Sequence, residues 1–305
     1  MILRVRHKTT YAYAEQVELA AHLTHLRPRD LPWQRVHSFA LCTGPAPSRM
    51  TEGTDHFGNP VSWVFMDSAH TGLQVSTDAE VEVVRRTVPN PDHTLSWERV
   101  ADLAQRPGTA ADAAEFLFDS PMASTSDGAR AWAAPSFPPG RPMMAGLLDL
   151  TARIARDFRF QPGVTTVSTP IARVLQLRAG VCQDFAHLMI GGLRAMGLPA
   201  RYVSGYVRTR PPPGQAKMRG ADQSHAWVGC WLGPDHGWID LDPTNDSVVA
   251  DEHVVLGWGR EYADVSPLHG VLLGGGAHTL RVSVDMEPVE DAGNMPFEAG
   301  PLAPG

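Results

Sequence analysis

The strongest constraint on the fold of this chain is a change in the period of its hydrophobic pattern. From Ile2 to about Arg86, apolar and polar residues alternate in short runs such as 36–41 and 61–65, and turn-forming residues separate these runs. Residues 144–158 instead repeat apolar side chains every three or four positions, as a helix does. The pattern predicts an α+β fold, in which an N-terminal antiparallel β domain precedes a domain that begins with helices.

The boundary between the two predicted domains lies in a loop-rich stretch. With 305 residues, the chain is long enough for two domains of ordinary size. Its composition shifts between residues 90 and 125, so we expect a β-rich domain over residues 1–115 and a second domain over residues 116–290. Residues 291–305 are rich in proline, glycine and small side chains, which predicts a disordered tail.

Composition and charge narrow the class of protein. Hydrophobic residues make up 43% of the chain and charged residues 19%, which is typical of a folded protein. The formal net charge of -7, with no stripe rich in lysine and arginine, argues against a nucleic acid as partner. No stretch approaches the roughly 18 apolar residues of a membrane span, and the first residues alternate where a signal peptide would be continuously apolar. We therefore expect no membrane partner.

The three cysteines, Cys42, Cys182 and Cys230, indicate a reducing compartment. They cannot all pair with one another, and none lies in a CxxC arrangement. The expected location is therefore the cytoplasm.

Cofactor and metal sites are not indicated by the sequence. Residues Gly274-Gly275-Gly276 lack the strand-to-helix context of a phosphate-binding loop and predict a turn, so we expect no organic cofactor. His22 and His25 lack a third ligand in the sequence, and we interpret them as structural residues.

Cys182 lies at the start of a predicted helix. Apolar residues at positions 182, 185, 186, 189, 193 and 196 form one stripe, and Gly197-Leu198-Pro199 supplies the stop. Free backbone N–H groups and the positive dipole end of a helix stabilise a thiolate in the first turn. Taken alone, Cys182 fits a small buried hydrophobic residue equally well. Asp184 is expected to cap this helix, and His187 is expected to pack in the core.

Two predicted strands carry a histidine and two aspartates. Residues 224–231 alternate so that His225 lies on one face near the start of the strand, and residues 238–245 return after a turn. Antiparallel pairing brings His225 close to Asp240 or Asp242, between which alternation cannot choose. A carboxylate that holds one ring nitrogen directs the other towards a thiol, which is the arrangement of a Cys-His-Asp triad.

The runs GVCQDFAHLM, ARYVSGY, SHAW and GWIDLDPTN, in this order, resemble the bacterial transglutaminase-like family, whose core is papain-like. The β-rich first part with TDHFGN resembles the N-terminal domain of these proteins, so the resemblance covers nearly the whole chain. It implies that a helix bearing Cys182, the nucleophile, packs on an antiparallel sheet bearing His225, the general base. The third member falls on the aspartate of the Asp-Pro-Thr motif, Asp242.

Acyl transfer also requires an oxyanion hole, for which the backbone N–H of Cys182 is the natural first donor. Animal transglutaminases resemble this core and use a tryptophan indole upstream of the cysteine, but no tryptophan here matches that position. We name Gln183, Tyr202 and Trp227 as candidates for the oxyanion hole or the cleft, with Trp132 as a further guess. The proline-rich residues 209–220 are expected to form a loop that borders the site.

The resemblance and the triad predict a cysteine-dependent enzyme that acts on the amide bonds of a peptide or protein through a thioester acyl-enzyme. Water as the second nucleophile would make it a peptidase or amidase, and an amine would make it a transglutaminase. The triad serves both reactions, and we favour hydrolysis because the sequence reveals no dry channel for an amine. The alternatives are a non-catalytic peptide-binding module or scaffold that uses the same cleft, and a metal-dependent hydrolase. The oligomeric state stays open.

Overall fold

The computed structural model describes residues 1–106, 108, 111–209 and 223–289, so the predicted tail and most of the predicted loop over residues 209–220 lie outside the described residues. The α+β prediction is confirmed. The strands are β1 (Ile2–Thr24), β2 (Gln34–Gly44), β3 (Arg49–Thr54), β4 (Pro60–Met66), β5 (His70–Val83), β6 (Arg159–Phe160), β7 (Ala179–Gly180), β8 (Ala200–Val207), β9 (Gln223–Trp231), β10 (Trp238–Asp242), β11 (Ser247–Val248), β12 (His253–Gly259), β13 (Leu268–Gly274) and β14 (His278–Pro288). The helices are α1 (Trp97–Ala104), α2 (Ala111–Ala114), α3 (Asp127–Ala133), α4 (Met143–Asp157), α5 (Ile171–Leu177) and α6 (Cys182–Arg194).

The first sheet is built around β1. Its strands follow the order β2-β5-β1-β4-β3, and β13 and β14 also pair with β1. Residues 3–12 of β1 pair with both β5 and β14, and residues 20–24 pair with both β4 and β13, all antiparallel. The predicted domain ranges 1–115 and 116–290 stay a prediction. Strands from within the second range nevertheless complete the sheet that begins at residue 2.

The second sheet packs against helix α6. The second sheet and its helices form one half of the molecule, and the first sheet forms the other. The strands of the second sheet follow the order β11-β10-β9-β8-β12, and α6 packs on β8 and β9 while α3 and α5 contact the helix from other sides. Every residue from Asp184 to Arg194 of α6 is buried. A Cβ atom on Gly192 would lie 2.8 Å from the Cβ of Ala133 in α3, so glycine is what allows this close approach. Gly197, with a φ of +77°, reverses the chain after the helix, as the sequence predicts.

An apolar cluster joins the two sheets. It consists of Leu3, Val5, Ala79, Val81, Val83, Tyr206, Val254, Leu256, Val284 and Met286. At its edge, the Tyr206 hydroxyl is 2.9 Å from Nδ1 of His7, and Nε2 of His7 is 2.7 Å from the Thr9 hydroxyl. Burial lowers the pKa of His7 to about 4, so this imidazole is neutral at pH 7. The two sheets therefore meet through an apolar cluster with hydrogen bonds beside it.

The predicted turn at residues 54–60 forms a second link between the halves. The Asp55 carboxylate accepts hydrogen bonds from the backbone N–H groups of Phe57 and Asn59. The Asn59 amide in turn bonds to both the N–H and the carbonyl of Trp258 in β12. The turn is thus confirmed, and it ties the first sheet to the second. In the part of the chain that the structure describes, no helix has the length and apolar character needed to cross a bilayer.

Candidate active site

Cys182 is the first residue of α6, as predicted. Val181 precedes it in extended conformation, with φ -120° and ψ 178°, so the helix begins abruptly at the cysteine. Asp184 caps this first turn: its Oδ2 accepts hydrogen bonds from the Val181 N–H at 2.8 Å and from the Thr165 hydroxyl at 2.7 Å. The thiol of Cys182 is half-buried, and the backbone N–H groups of the first turn have no intrahelical acceptor. The helix start therefore presents both a thiol and hydrogen-bond donors.

Adjacent strands bring His225 and Asp242 together. Leu241 of β10 lies opposite Val228 of β9, and continuing this antiparallel register by one residue places Asp242 opposite Trp227, two residues from His225. Nε2 of His225 lies 2.7 Å from Oδ2 of Asp242, whose side chain is fully buried. Because Nε2 faces the carboxylate, Nδ1 is the ring nitrogen left for a partner in the cavity that His225 and Cys182 both line.

The Asp242 carboxylate is held by more than the histidine. Its Oδ1 accepts hydrogen bonds from the backbone N–H groups of Thr244 and Asn245, and its Oδ2 accepts one from the Asn245 side chain at 2.6 Å. His253 of β12 lies 3.4 Å from the same oxygen. Burial by itself raises the pKa of Asp242, but the hydrogen bonds from His225, His253 and Asn245 outweigh it and hold the pKa well below its usual range. The carboxylate is therefore ionised throughout the neutral pH range.

His225 responds in the opposite direction. Burial lowers its pKa, but the hydrogen bonds and charges of Asp242 and Cys182 outweigh burial and raise the pKa from 6.5 to about 10. A protonated imidazole beside a cysteine sulfur favours the thiolate form. His225 thus lies next to the Asp242 carboxylate and lines the same cavity as Cys182.

Asp240, which alternation could not separate from Asp242, has a different environment. Its side chain is 4% exposed and lies 4.0 Å from the Arg86 guanidinium. The nearby Arg201 guanidinium is stacked between the rings of Trp238 and Trp258. Asp240 therefore belongs to an arginine-rich contact between the halves, and Asp242 is the aspartate next to His225.

A cavity of about 490 Å³ opens at Cys182 and His225. The half that contains α6 and the second sheet contributes Gln183, Tyr202, Ser204, Ser224 and Tyr262 to its lining. The opposite wall comes from β1 and β14 of the first sheet. The candidate site thus lies between the two halves of the chain, which the sequence does not predict.

The three candidates for the oxyanion hole or the cleft have different environments. Tyr202 lines the cavity and is 2% exposed, and the charge of Cys182 contributes, after burial, to raising its pKa. Gln183 also lines the cavity, but its amide donates to the carbonyl of Val167 at 3.0 Å. Trp227 is fully buried, packs edge-on against His253 and is not among the described residues that line the cavity, and its assignment as a cleft residue stays a prediction. Trp132, the further guess, packs against Phe158.

Other side chains near the site have structural roles. Nε2 of His187 accepts a hydrogen bond from the Tyr262 N–H, and burial lowers the pKa of this buried histidine to about 3, which fits its expected core position. Cys230 is fully buried, and burial raises the pKa of its thiol well above the ordinary value. His253 was missed from the sequence because no motif marks it. Asn245 was missed as a carboxylate partner although it ends the GWIDLDPTN run.

Of the two histidines considered as metal ligands, His25 has a hydrogen-bond partner at each ring nitrogen. His25 bonds to Asp55 through Nε2 and to the Ser266 carbonyl through Nδ1. His22 is buried, and burial lowers its pKa. Within residues 1–106, 108, 111–209 and 223–289, no group of three or more histidine, cysteine, aspartate or glutamate side chains is arranged to hold a metal ion.

Comparison with known proteins identifies the family of the chain. The profile of the bacterial transglutaminase-like N-terminal region matches residues 3–82, and that of the transglutaminase-like superfamily matches residues 137–243, which include Cys182, His225 and Asp242. A protein-glutamine gamma-glutamyltransferase of Pseudomonas aeruginosa is 33% identical over 116 residues, which are 35% of this chain and 17% of that protein. The chain belongs to the bacterial transglutaminase-like family.

Members of this family with the same overall length include proteins without an assigned function. An uncharacterised protein of Mycobacterium tuberculosis is 41% identical over 297 residues, which cover 94% of this chain and 93% of that protein. The solved structure of a candidate cysteine protease from Cytophaga hutchinsonii covers 98% of this chain and 94% of that chain, with a TM-score of 0.74 and 22% identity. That likeness shows that both halves of this transglutaminase-like chain have a known fold.

Proposed function

We propose that this protein is a cysteine-dependent amide-bond enzyme with a Cys182-His225-Asp242 triad. The observation that carries the proposal is the position of His225, which lies between the buried Asp242 carboxylate and the Cys182 thiol at the mouth of one cavity. Membership of the transglutaminase-like superfamily supports it, since the matched region spans all three residues. The substrate class is a peptide or protein.

The chemistry follows from the positions of these groups. The Cys182 sulfur attacks the amide carbonyl carbon and forms a C–S bond, which gives a tetrahedral oxyanion. As the C–N bond breaks, the imidazolium of His225 gives its Nδ1 proton to the departing amine and a thioester remains. His225 then takes a proton from the second nucleophile, which attacks the thioester carbon; the C–S bond breaks and Cys182 leaves as the thiolate. Asp242 holds the ring orientation and stabilises its positive charge in both steps.

Tyr202 is our candidate for the second oxyanion donor. The backbone N–H of Cys182 is the first donor, because the first N–H groups of a helix have no partner within it. Tyr202 lines the same cavity beside Cys182, and its raised pKa keeps the hydroxyl protonated at neutral pH. The Gln183 amide fits this role less well, because it already donates to Val167.

We propose water as the principal second nucleophile, which makes the protein a peptidase or amidase. Ser204, Ser224 and Gln183 line the same cavity as His225, and these polar residues suit a site that water can enter. Transfer to an amine needs a site from which water is excluded. The Pseudomonas aeruginosa relative is called a glutamyltransferase, and this resemblance supports the second candidate, transfer of a glutamyl group to an amine. We further propose a cytoplasmic location, which three unpaired cysteines support.

The test uses intact-mass and peptide mass spectrometry of wild type and Cys182→Ala. Each protein is incubated with a panel of glutamine-containing peptides, with and without a primary amine. Cleavage or deamidation that disappears in Cys182→Ala supports hydrolysis, and incorporation of the amine that disappears in the variant supports transfer. If the wild type leaves every peptide unchanged and Cys182 reacts with iodoacetamide no faster than Cys42, the enzyme proposal is wrong and a peptide-binding module takes its place.

A further inference from the structure

One wall of the Cys182 cavity is a regular surface of the first sheet. The pairs His7 with Val284, Thr9 with Val282 and Tyr11 with Leu280 lie opposite one another on β1 and β14. All six side chains line the cavity. Because successive residues of a strand point to opposite faces, these six form one continuous face directed at the catalytic cysteine.

The outer part of this wall is apolar and uncovered by the described residues. Val284 is fully buried at its base, whereas Val282 is 50% exposed and Leu280 is 52% exposed. Leu268 and Tyr262 add further apolar surface on the side of the cavity next to β13. Aliphatic side chains that stay half-exposed inside a cavity gain free energy when an apolar partner removes them from water.

The charge of the wall points to the same kind of partner. Within the described part of the lining there is no aspartate, glutamate, lysine or arginine side chain. His7 is neutral at pH 7, since burial lowers its pKa to about 4. His225, whose raised pKa keeps it protonated, also lines the cavity, so a cationic side chain such as lysine would lose water here without gaining a counter-charge.

The wall is also held in place before any substrate binds. His7 is fixed by Tyr206 of β8 and by Thr9, so β1 is joined to the strand that carries Tyr202. Val284 and Met286 of β14 pack in the apolar cluster between the sheets. Because β1 and β14 cannot shift freely against the catalytic half, the wall keeps a constant distance from Cys182 and loses little entropy on binding.

We propose that the face of β1 and β14 formed by these residues is a substrate subsite for an extended polypeptide segment with apolar side chains at every second position. The side chains of Leu280, Val282 and Val284 repeat every two residues, and an extended peptide repeats its side chains with the same period. The subsite gives the N-terminal sheet a direct part in substrate selection. This inference rests on the proposed function, because it takes the occupant to be the segment that flanks the amide attacked by Cys182.

The experiment measures the binding of two fluorescein-labelled decapeptides to Cys182→Ala by fluorescence polarisation. Both peptides have glutamine at the centre; one has leucine at every second position and the other has lysine. We expect the leucine peptide to bind at least about tenfold more tightly, the discrimination that an apolar pocket typically supplies. In Cys182→Ala/Val282→Asp, we expect the preference to change in favour of the lysine peptide.

Val271 on β13 provides the matched control. It lies in the same sheet, is 75% exposed and is on a different strand from the subsite, so Cys182→Ala/Val271→Asp should keep the preference for leucine. Should Val282→Asp fail to fold by circular dichroism, Val282→Thr replaces it, because threonine has nearly the same shape and should still weaken leucine binding. Equal affinity for the two peptides, or a leucine preference that survives at Val282→Asp and Val282→Thr, overturns the inference.

The binding and turnover experiments can contradict the two proposals independently. Selective binding to Cys182→Ala without any change of the peptides by wild type would remove the proposed function and leave the subsite as a peptide-binding surface. If the wild type turns over the leucine and lysine peptides equally well, the enzyme proposal is supported and the subsite proposal is wrong.

Discussion

Replacement of Asp242 by asparagine tests the central electrostatic contact of the site. Asp242 is fully buried, and Asn keeps its shape while removing its charge. Loss of one partner from a buried ion pair typically costs about 3–5 kcal/mol, because the other group stays buried without compensation. We therefore expect Asp242→Asn to lower the free energy of unfolding by about this amount at pH 7. The lowered pKa of Asp242 reports the same interaction, so its contribution is not added to that of His225.

The raised pKa of His225 also predicts how the stability of the protein changes with pH. The pKa of His225 rises from 6.5 to about 10 on folding, so its protonated form stabilises the folded state. The contribution is complete below about pH 6.5, falls by ~1.4 kcal/mol per pH unit above it and is gone above about pH 10. From pH 7 to pH 9, His225 should therefore cost the wild type ~3 kcal/mol of stability. In Asp242→Asn, the larger part of this dependence should disappear.

Urea unfolding followed by circular dichroism between pH 7 and pH 9 measures both quantities. Asp240→Asn is the matched control, since Asp240 is a buried aspartate of the same strand whose neighbour is Arg86 instead of a histidine. We expect this control to keep the wild-type slope of stability against pH. If Asp242→Asn and wild type lose stability in parallel over this range, the Asp242 contact does not set the protonation of His225.

Two further substitutions test the site and its support. In Tyr202→Phe, loss of an oxyanion donor should lower turnover by about 10²- to 10³-fold. The rate at which iodoacetamide alkylates Cys182 should stay the same. Equal turnover of Tyr202→Phe and wild type would mean that the hydroxyl has no catalytic role. In Tyr206→Phe, loss of the hydrogen bond to His7 should lower the free energy of unfolding by about 1 kcal/mol in urea titrations, and an unchanged midpoint would mean that this bond does not hold the sheets together.

Local patterns predicted the helix and the strand that bear the candidate site residues. The stripe that begins at Cys182 predicted α6, and alternation predicted β9, because both depend on which face of a single element is buried. The Asp-Pro-Thr motif selected Asp242, which the structure places next to His225. These features are local in sequence, so one chain is enough to recognise them.

The same local patterns did not predict the long-range packing. Alternation assigns Trp227 to a face but does not say whether another layer covers that face, and here β12 with His253 lies against the ring. The pairing of β13 and β14 with β1 depends on which free strand edge they meet. Their composition does not identify β1 as the partner. The cavity wall opposite Cys182 was missed for this reason.

The return of β13 and β14 to β1 also constrains how the protein is made. During synthesis, residues 1–83 leave the ribosome long before residues 268–288, so one edge of β1 has to wait for its partners. An unpaired edge of a long strand can pair with another chain. Expression of the first half alone should therefore give a product that aggregates, whereas addition of a peptide with the sequence of residues 268–288 should keep it soluble.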